Sequence, residues 1–266
     1  MTSVQRLLPI EFSVPSRRFA VWTSDGIRIA GTGLGERGVP DEAGDPAVVL
    51  AHGLMGWHRK PRFARFAEML SSRFPVYAYD ARGHGDSEGV CDYGGREIHD
   101  VDAVVAKARA DGHARVVTAG VSMGAIAVVR HAALIGGVDA VVGISCLAYW
   151  DWDGGAHPGA ARAMRARTAT GAGRRVLRAW GVRLPDTWDA PESPEEVVGK
   201  IAPTPVVIVH GRNDRLFGVD HAMRLYEAAG DPKKLLLGER FGHAEDGLTT
   251  AFAARLGRAI GEAVPT

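Results

Sequence analysis

Short apolar runs recur along this sequence, separated by stretches that are each long enough for a helix. They are AVVLA at 47–51, PVYAY at 75–79, RVVTA at 115–119, AVVGIS at 140–145 and PVVIV at 205–209, followed by the shorter LLL at 235–237. A strand that is buried on both faces shows no alternation of apolar and polar residues. Runs of this kind are therefore typical of the central strands of a parallel sheet.

Amphipathic helical patterns lie between most of these runs. In two of them apolar residues recur at intervals of three and four, at Phe63, Phe66, Ala67 and Leu70, and at Val101, Val104, Val105 and Ala108. That spacing places the apolar side chains on one face of a helix. The alternation of strand and helix predicts an α/β fold with a doubly wound, mostly parallel sheet.

The chain begins with a different pattern. RFAVWTS and IRIAGTG are alternating segments that flank Asp25-Gly26, and they predict an antiparallel hairpin because glycine accepts the positive φ of a tight turn. The glycine-rich run at 31–35 lies on the second of these strands and does not open a helix, so it is not a dinucleotide-binding loop. The sequence contains neither a phosphate-binding motif nor a metal-ligand cluster. We therefore expect neither a cofactor nor a metal.

The alternation of strands and helices is interrupted between Leu147 and Lys200, where a single connecting helix would suffice. We therefore predict a small helical insertion at 148–199 between two parts of one core, 1–147 and 200–266. A proline-rich stretch typical of a linker returns the chain to the sheet, with Pro185, Pro191, Pro194, Pro203 and Pro205.

A serine follows one of the predicted strands. RVVTA leads into Gly120-Val121-Ser122-Met123-Gly124, and a helical segment comes next. So sharp a turn strains the backbone at the serine, and only very small residues two positions before and after it avoid a clash. The pattern predicts that Ser122 projects from the carboxyl end of the sheet as a nucleophile, with the NH of Met123 directed at the substrate oxygen.

Two further motifs each follow a predicted strand. His52-Gly53-Leu54-Met55-Gly56 comes after AVVLA, and the segment DARGHGDS at 80–87 comes after PVYAY. Together with G-x-S-x-G, the order of these motifs between 47 and 146 resembles that of the α/β-hydrolase family. The resemblance implies the α/β-hydrolase fold and a second oxyanion donor, the NH of Leu54. It also implies a bracing role, not a catalytic one, for Asp80, Arg82 and His84.

A serine hydroxyl needs a neighbouring base, and a carboxylate must hold that base in the right tautomer. In this family the order along the chain is serine, acid, histidine. Asp214, in the segment HGRNDRL after PVVIV, is similar in position to the family acid, and His243, in the loop after LLL, is similar to the family base. The resemblance thus implies a catalytic triad of Ser122, His243 and Asp214.

Other residues compete for these roles. His52 is a second candidate base, although its position at the end of a central strand suits a bracing role better. Asp151 or Asp153 could supply the acid, because some members of the family place it after the strand that follows the nucleophile helix. Glu245 and Asp246 lie too close to the candidate base in sequence, and we expect them to cap or solvate the last helix.

The insertion resembles the cap with which the family covers its nucleophile. Four of the six tryptophans fall inside it, at Trp150, Trp152, Trp180 and Trp188. Aromatic rings over a pocket favour an apolar or aromatic substrate group, and Trp150 and Trp152 are our candidate substrate contacts. Packing of the cap on the core is the alternative role for each ring.

The same insertion is strongly basic. Between 154 and 185 it has no acidic residue and seven arginines, Arg162, Arg165, Arg167, Arg174, Arg175, Arg178 and Arg183. They either attract an anionic substrate to the pocket or form a solvated helical face.

The leading functional hypothesis is hydrolysis of a small-molecule carboxylic ester through an acyl-enzyme. The same residues would cleave an acyl thioester. A cofactor-free haloperoxidase, a C–C hydrolase and a non-catalytic binding protein of the same fold stay open.

Composition excludes several other classes. The formal net charge of +1 gives no reason to expect a nucleic-acid partner. The two cysteines, Cys91 and Cys146, show no C-x-x-C pairing, which argues against a disulfide framework or a zinc site. No stretch approaches 18 consecutive apolar residues, and the first 15 residues lack the core of a signal peptide. We expect a cytoplasmic protein without stable membrane insertion.

Overall fold

A mostly parallel sheet forms the centre of the computed structural model, which describes residues 10–35, 45–152 and 158–264. Within these ranges the sheet has eight strands in the order β1-β2-β4-β3-β5-β6-β7-β8. β2 is antiparallel to β1 and to β4, and the other neighbouring strands are parallel. The strands are β1 Ser16–Trp22, β2 Arg28–Leu34, β3 Ala47–Ala51, β4 Val76–Tyr79, β5 Val116–Val121, β6 Ala140–Ile144, β7 Val206–Gly211 and β8 Lys233–Gly238.

Helices cover both faces of this sheet. They are α1 Pro61–Ser71, α2 Glu97–Ala110, α3 Met123–Leu134, α4 Pro158–Ala169, α5 Gly171–Ala179, α6 Pro194–Val197, α7 Val219–Ala228 and α8 Thr250–Ala263. Helices α2, α3 and α7 pack on one face, and α1 and α8 pack on the other. No helix in the described part of the chain combines the length and the apolar character needed to cross a bilayer.

The apolar runs are buried on both sides, as predicted. In β3, Ala47, Val49 and Ala51 belong to the core under α2 and α3, whereas Val48 and Leu50 belong to the core under α1 and α8. The predicted apolar faces of α1 and α2 are buried as well. Complete burial of a Leu or Phe side chain stabilises the fold by about 2 kcal/mol. Because their side chains are buried on both faces of the sheet, the central strands gain this stabilisation from both layers of helices. The prediction of a doubly wound α/β sheet is confirmed.

The predicted hairpin is also present. β1 and β2 pair in antiparallel register from Trp22 opposite Arg28 to Ser16 opposite Leu34. The turn has Gly26 at a φ of 80°, a conformation that glycine adopts without steric penalty. β2 then pairs with β4, so the hairpin extends the parallel sheet at one edge.

The segment predicted as an insertion leaves the sheet after β6 and contains α4, α5 and α6. α4 and α5 each bury a single residue, Ala161 and Leu177 respectively. The last part of the segment is different, because Val197 and Val198 are buried beside α3. Residues 194–199 are thus in contact with the core, while the division of the chain at 148 and 199 stays a prediction.

Candidate active site

Ser122 stands at the tip of a sharp turn between β5 and α3. Its φ of 54° and ψ of −116° lie outside the usual regions for a residue with a side chain. A Cβ on Gly120 would lie 2.1 Å from the carbonyl oxygen of Gly124, and a Cβ on Gly124 would lie 2.5 Å from that of Ala51. Only glycine fits at either position, which is the reason for the two glycines of G-x-S-x-G.

Three predicted residues meet at this turn. Nε2 of His243 is 3.0 Å from Oγ of Ser122, and Nδ1 of His243 is 2.7 Å from Oδ2 of Asp214. Ser122 follows β5, Asp214 follows β7 and His243 follows β8, so the carboxyl ends of three strands supply one continuous hydrogen-bonded chain. Such a chain can move a proton from the hydroxyl to the imidazole while a carboxylate balances the charge.

The carboxylate of Asp214 is buried and fully engaged. Its Oδ1 accepts hydrogen bonds from the NH groups of Leu216 and Phe217 at 2.8 and 2.9 Å, and its Oδ2 accepts from His243. Burial alone would raise the pKa of this carboxyl, but the hydrogen bond and charge of His243 and the backbone donors hold it below its ordinary value. The acid is thereby kept ionised and fixed in orientation.

Two residues that the sequence did not single out position the histidine. The ring of Phe217 meets the His243 ring edge to face, with 5.0 Å between centroids. The hydroxyl of Ser145, at the end of β6, accepts a hydrogen bond from the NH of Ala244 at 3.1 Å. Neither residue belongs to a motif of its own, and only the proximity of Phe217 to Asp214 in the sequence could have pointed to it.

Glu245 and Asp246 do not cap the last helix, which was one of the two roles expected for them. Thr249 caps α8 by accepting a hydrogen bond from the NH of Phe252. Glu245 instead pairs with Lys60 at 3.0 Å, and Asp246 pairs with an arginine of α1. Both carboxylates lie in a 3₁₀ turn that ends before α8 begins. Their ion pairs connect the loop of the candidate base to the start of α1.

The two candidate oxyanion donors lie beside Ser122. Met123 is the first residue of α3, and Leu54 lines the same pocket as Ser122. A Cβ on Gly53 would lie 3.2 Å from Cβ of Ser122, so the loop after β3 approaches the serine closely. Within the described residues neither the Leu54 NH nor the Met123 NH donates to a protein acceptor. Both NH groups are thus without a protein acceptor in the described residues, and their role as oxyanion donors stays a prediction.

His52 is buried behind the serine. Its Nδ1–H donates to the carbonyl of Gly53 at 2.8 Å, and its Nε2 accepts from the NH of Ala81 at 3.0 Å. Burial lowers the pKa of this imidazole, which favours the neutral form. Both ring nitrogens are occupied by backbone partners, and the ring connects the loops that follow β3 and β4.

The motif after β4 is a network of buried charges. The guanidinium of Arg82 donates to Asp100 at 2.8 Å and to Asp25 at 2.7 and 2.9 Å, which joins the hairpin turn to α2. Asp80 accepts hydrogen bonds from a neighbouring imidazole and from two backbone NH groups. Burial lowers the pKa of His84 to about 3. These contacts connect structural elements, and none of the three side chains lines the pocket at Ser122.

The alternative acids do not join the hydrogen-bonded chain. Asp151 is exposed and has no hydrogen bond to His243, whose Nδ1 is occupied by Asp214. Asp153 lies outside the described residues. Cys91 and Cys146 are buried free thiols, and no cluster of three metal-ligating side chains occurs in the described ranges.

A pocket of about 410 Å³ opens in front of Ser122. Trp150 and Trp152 both line it, as does Trp188, whereas Trp180 lies outside it and is half exposed. Trp188 makes edge-to-face contacts with Trp150 and with Tyr93, at 5.1 and 5.2 Å between centroids. The walls also include residues that no sequence signal indicated, Tyr93, Ile126, Leu147, Met164, Leu216 and Phe217.

Two of the seven arginines of the insertion reach the pocket. Arg165 donates to the carbonyl of Trp152 at 2.7 Å, and Arg174 donates to the carbonyl of Ala169 at 2.9 Å. Both line the pocket. Arg183 is turned away and donates to the carbonyl of Gly89 at 2.9 Å. The other four arginines are exposed.

Comparisons with known proteins bear on the family and the fold of this chain. The model of the Alpha/beta hydrolase family matches residues 48–264. The uncharacterized protein YfhR of Escherichia coli O157:H7 is 25% identical over 236 residues, which cover 86% of this chain and 73% of that protein.

Among solved structures, the esterase Pf2001 of Pyrococcus furiosus superposes with a TM-score of 0.72 at 21% identity, over 95% of this chain and 91% of that one. A putative aryl esterase from Burkholderia cenocepacia gives a TM-score of 0.64 at 18% identity, over 94% and 100% of the two chains. These structures share the fold predicted from the motifs. The match of the family model over most of the sequence shows that this chain belongs to the alpha/beta hydrolase family.

Proposed function

We propose that the protein hydrolyses carboxylic esters through an acyl-enzyme formed on Ser122, with His243 as general base and Asp214 as the acid that orients it. The observation that carries this proposal is the hydrogen-bonded chain of the three residues, 3.0 and 2.7 Å long in its two links, at the base of an apolar pocket. The esterases among the structural relatives support the choice of reaction class.

The proposed reaction has two half-reactions. Oγ of Ser122 attacks the ester carbonyl carbon and transfers its proton to Nε2 of His243, while the NH groups of Leu54 and Met123 donate to the oxyanion. The tetrahedral species collapses, the C–O bond breaks, and the alkoxide leaves with the proton from His243. Water then attacks the acyl-enzyme and gives a proton to His243. The bond between Oγ and the acyl carbon breaks, His243 returns the proton to Oγ, and the carboxylic acid leaves.

The pocket favours substrates with an apolar acyl or aryl group. Trp150, Trp152 and Trp188 present aromatic rings to it, and Leu216 and Met164 present aliphatic surface. Burial raises the pKa of Tyr93 to about 12, so its phenol is neutral. With a volume of about 410 Å³, the pocket suits a medium-length acyl chain or a single aromatic ring better than a long lipid chain.

Labelling with a fluorophosphonate tests the proposal directly. We expect the probe to modify wild-type protein at Ser122 and to leave Ser122→Ala unlabelled, because only an activated hydroxyl attacks the phosphorus. His243→Ala should label at least about 10²-fold more slowly for want of a base. Peptide mapping by mass spectrometry identifies the modified residue, and a label on any other serine would contradict the assignment.

Hydrolysis of an acyl thioester with an anionic leaving group is a second candidate. The observation that favours it is the presence of Arg165 and Arg174 in the pocket wall. Among the described residues, the only carboxylate lining the same pocket is that of Asp186, which is 3.9 Å from Arg174 and has a 96% exposed side chain. The local charge is therefore positive, and it would attract the phosphates of an acyl carrier.

The response to salt separates the two candidates. If the arginines recognise the leaving group, kcat/KM for an acyl-CoA should fall as ionic strength rises, since exposed charges are screened over about 8 Å at physiological salt. Arg174→Gln should reduce that fall. The p-nitrophenyl ester of the same acyl chain serves as the neutral control and should barely respond. Equal salt responses for both substrates would remove the support for the thioester.

A further inference from the structure

Two large apolar side chains are exposed on the outer face of α5. Val176 is 58% exposed and Trp180, directly after the helix, is 50% exposed. They are four residues apart and so lie on the same side of the helix. Leu177 is the single buried residue of α5. Scattered apolar residues are common on protein surfaces, and the significance of this pair depends on what surrounds it.

Four exposed arginines that do not line the pocket lie on α4 and α5, the two helices that also carry this pair. Arg175 and Arg178 are exposed on α5, and Arg162 and Arg167 are exposed on α4. The two helices touch at Gly173, where a Cβ would lie 2.2 Å from a carbonyl oxygen of α4. Among the described residues none of the four guanidinium groups has a hydrogen-bond or ion-pair partner in the structure.

We propose that this outer face of α4 and α5 is a docking surface for an anionic lipid bilayer. Tryptophan prefers the boundary between water and hydrocarbon, and an adjacent valine adds apolar area that can enter the headgroup layer. The exposed arginines of the same two helices attract anionic headgroups. The positive charge of the segment identifies the partner. No carboxylate occurs between 154 and 185 to offset the arginines, so this surface suits an anionic partner better than a neutral apolar one.

Docking of this face would place the pocket at the membrane surface. Met164 and Thr168 of α4 and Arg174 of α5 line the pocket, while the four free arginines lie on the exposed sides of the same two helices. The two helices therefore lie between the proposed lipid surface and the pocket at Ser122. In this position the enzyme would take apolar esters from the surface of the bilayer. That consequence rests on the proposed function, whereas binding of the bilayer does not.

Vesicle binding by the full-length Ser122→Ala protein tests the proposal without any turnover. We expect the protein to co-sediment with phosphatidylcholine vesicles that contain about 30% phosphatidylglycerol at low ionic strength, and not with pure phosphatidylcholine. Raising the salt to about 0.5 M should release most of it, because screening then acts over a few ångströms. Failure to bind the anionic vesicles would overturn the proposal and would leave the assignment of Ser122 intact.

Two pairs of substitutions locate the surface. Arg175→Glu with Arg178→Glu, and Val176→Ser with Trp180→Ser, should each weaken vesicle binding at least about tenfold. Trp22→Ser, at a tryptophan that is 65% exposed on β1, and Arg258→Glu, on α8, are matched controls that should bind like the parent. Binding that is unchanged in both patch variants would refute the surface. So would a change of oligomeric state in those variants without a loss of vesicle binding, since that would make the face a protein contact.

Discussion

Ser122→Ala should lower kcat for a p-nitrophenyl ester by about 10⁶-fold, because the substitution removes the proposed nucleophile. The substitution removes only Oγ, which is the atom 3.0 Å from Nε2 of His243. The backbone donors and the pocket remain, so hydrolysis at about 10³ to 10⁴ times the rate in water should persist. Steady-state kinetics with protein free of wild-type contamination measure this difference.

The double variant gives a sharper result than either single one. In the proposed mechanism Ser122 and His243 act on the same proton, so Ser122→Ala with His243→Ala should be no slower than Ser122→Ala alone. Ser71→Ala is a suitable control, since Ser71 is buried in α1 and donates to a carbonyl of its own helix. It should keep full activity. A Ser122→Ala enzyme with more than about 1% of wild-type kcat would contradict the nucleophile assignment.

Local sequence rules were sufficient for the sheet and for the serine turn. AVVLA matches β3 residue for residue because a strand that is buried on both faces must be apolar at every position. The turn at Ser122 was predictable for a comparable reason. A side chain at Gly120 would clash with the backbone a few residues later, and one at Gly124 would clash with the neighbouring strand β3. The spacing of the two glycines in the sequence therefore indicates the geometry of the turn.

The pocket could not be predicted in the same way. Tyr93 reaches it from the loop before α2 with a φ of 54°, and Phe217 reaches it from the loop after β7. Which arginines of α4 and α5 turn inward depends on how the two helices pack on the core, and one buried residue in each gives a weak signal. Side chains contributed by several separate loops share no spacing that a single sequence can display.

Asp214→Asn should lower kcat by about 10³- to 10⁴-fold with little change in KM. In the wild-type enzyme the carboxylate accepts the Nδ1 proton of His243 at 2.7 Å, which leaves Nε2 free to accept from Ser122. The asparagine oxygen can still accept from the NH groups of Leu216 and Phe217, so its NH₂ group faces the imidazole. The ring then carries its proton on Nε2 and cannot act as the base.

Asp151→Asn is the matched control, because Asp151 also follows a strand of the sheet but is exposed and has no hydrogen bond to His243. It should leave kcat within about twofold of wild type. The reverse pattern, with Asp151→Asn inactive and Asp214→Asn active, would transfer the role of acid to Asp151.

The pH dependence of stability gives an independent check on Asp214. Its pKa in the folded protein lies below the ordinary 3.8, so ionisation stabilises the fold at every pH above the unfolded value. This contribution is lost as the pH falls from about 4 through the folded pKa. Asparagine has no proton to bind, so the difference in unfolding free energy between wild type and Asp214→Asn should shrink as the pH falls below about 4. A difference that stayed constant down to about pH 2 would show that Asp214 is not held ionised by His243, and the argument for its role in orienting the base would fail with it.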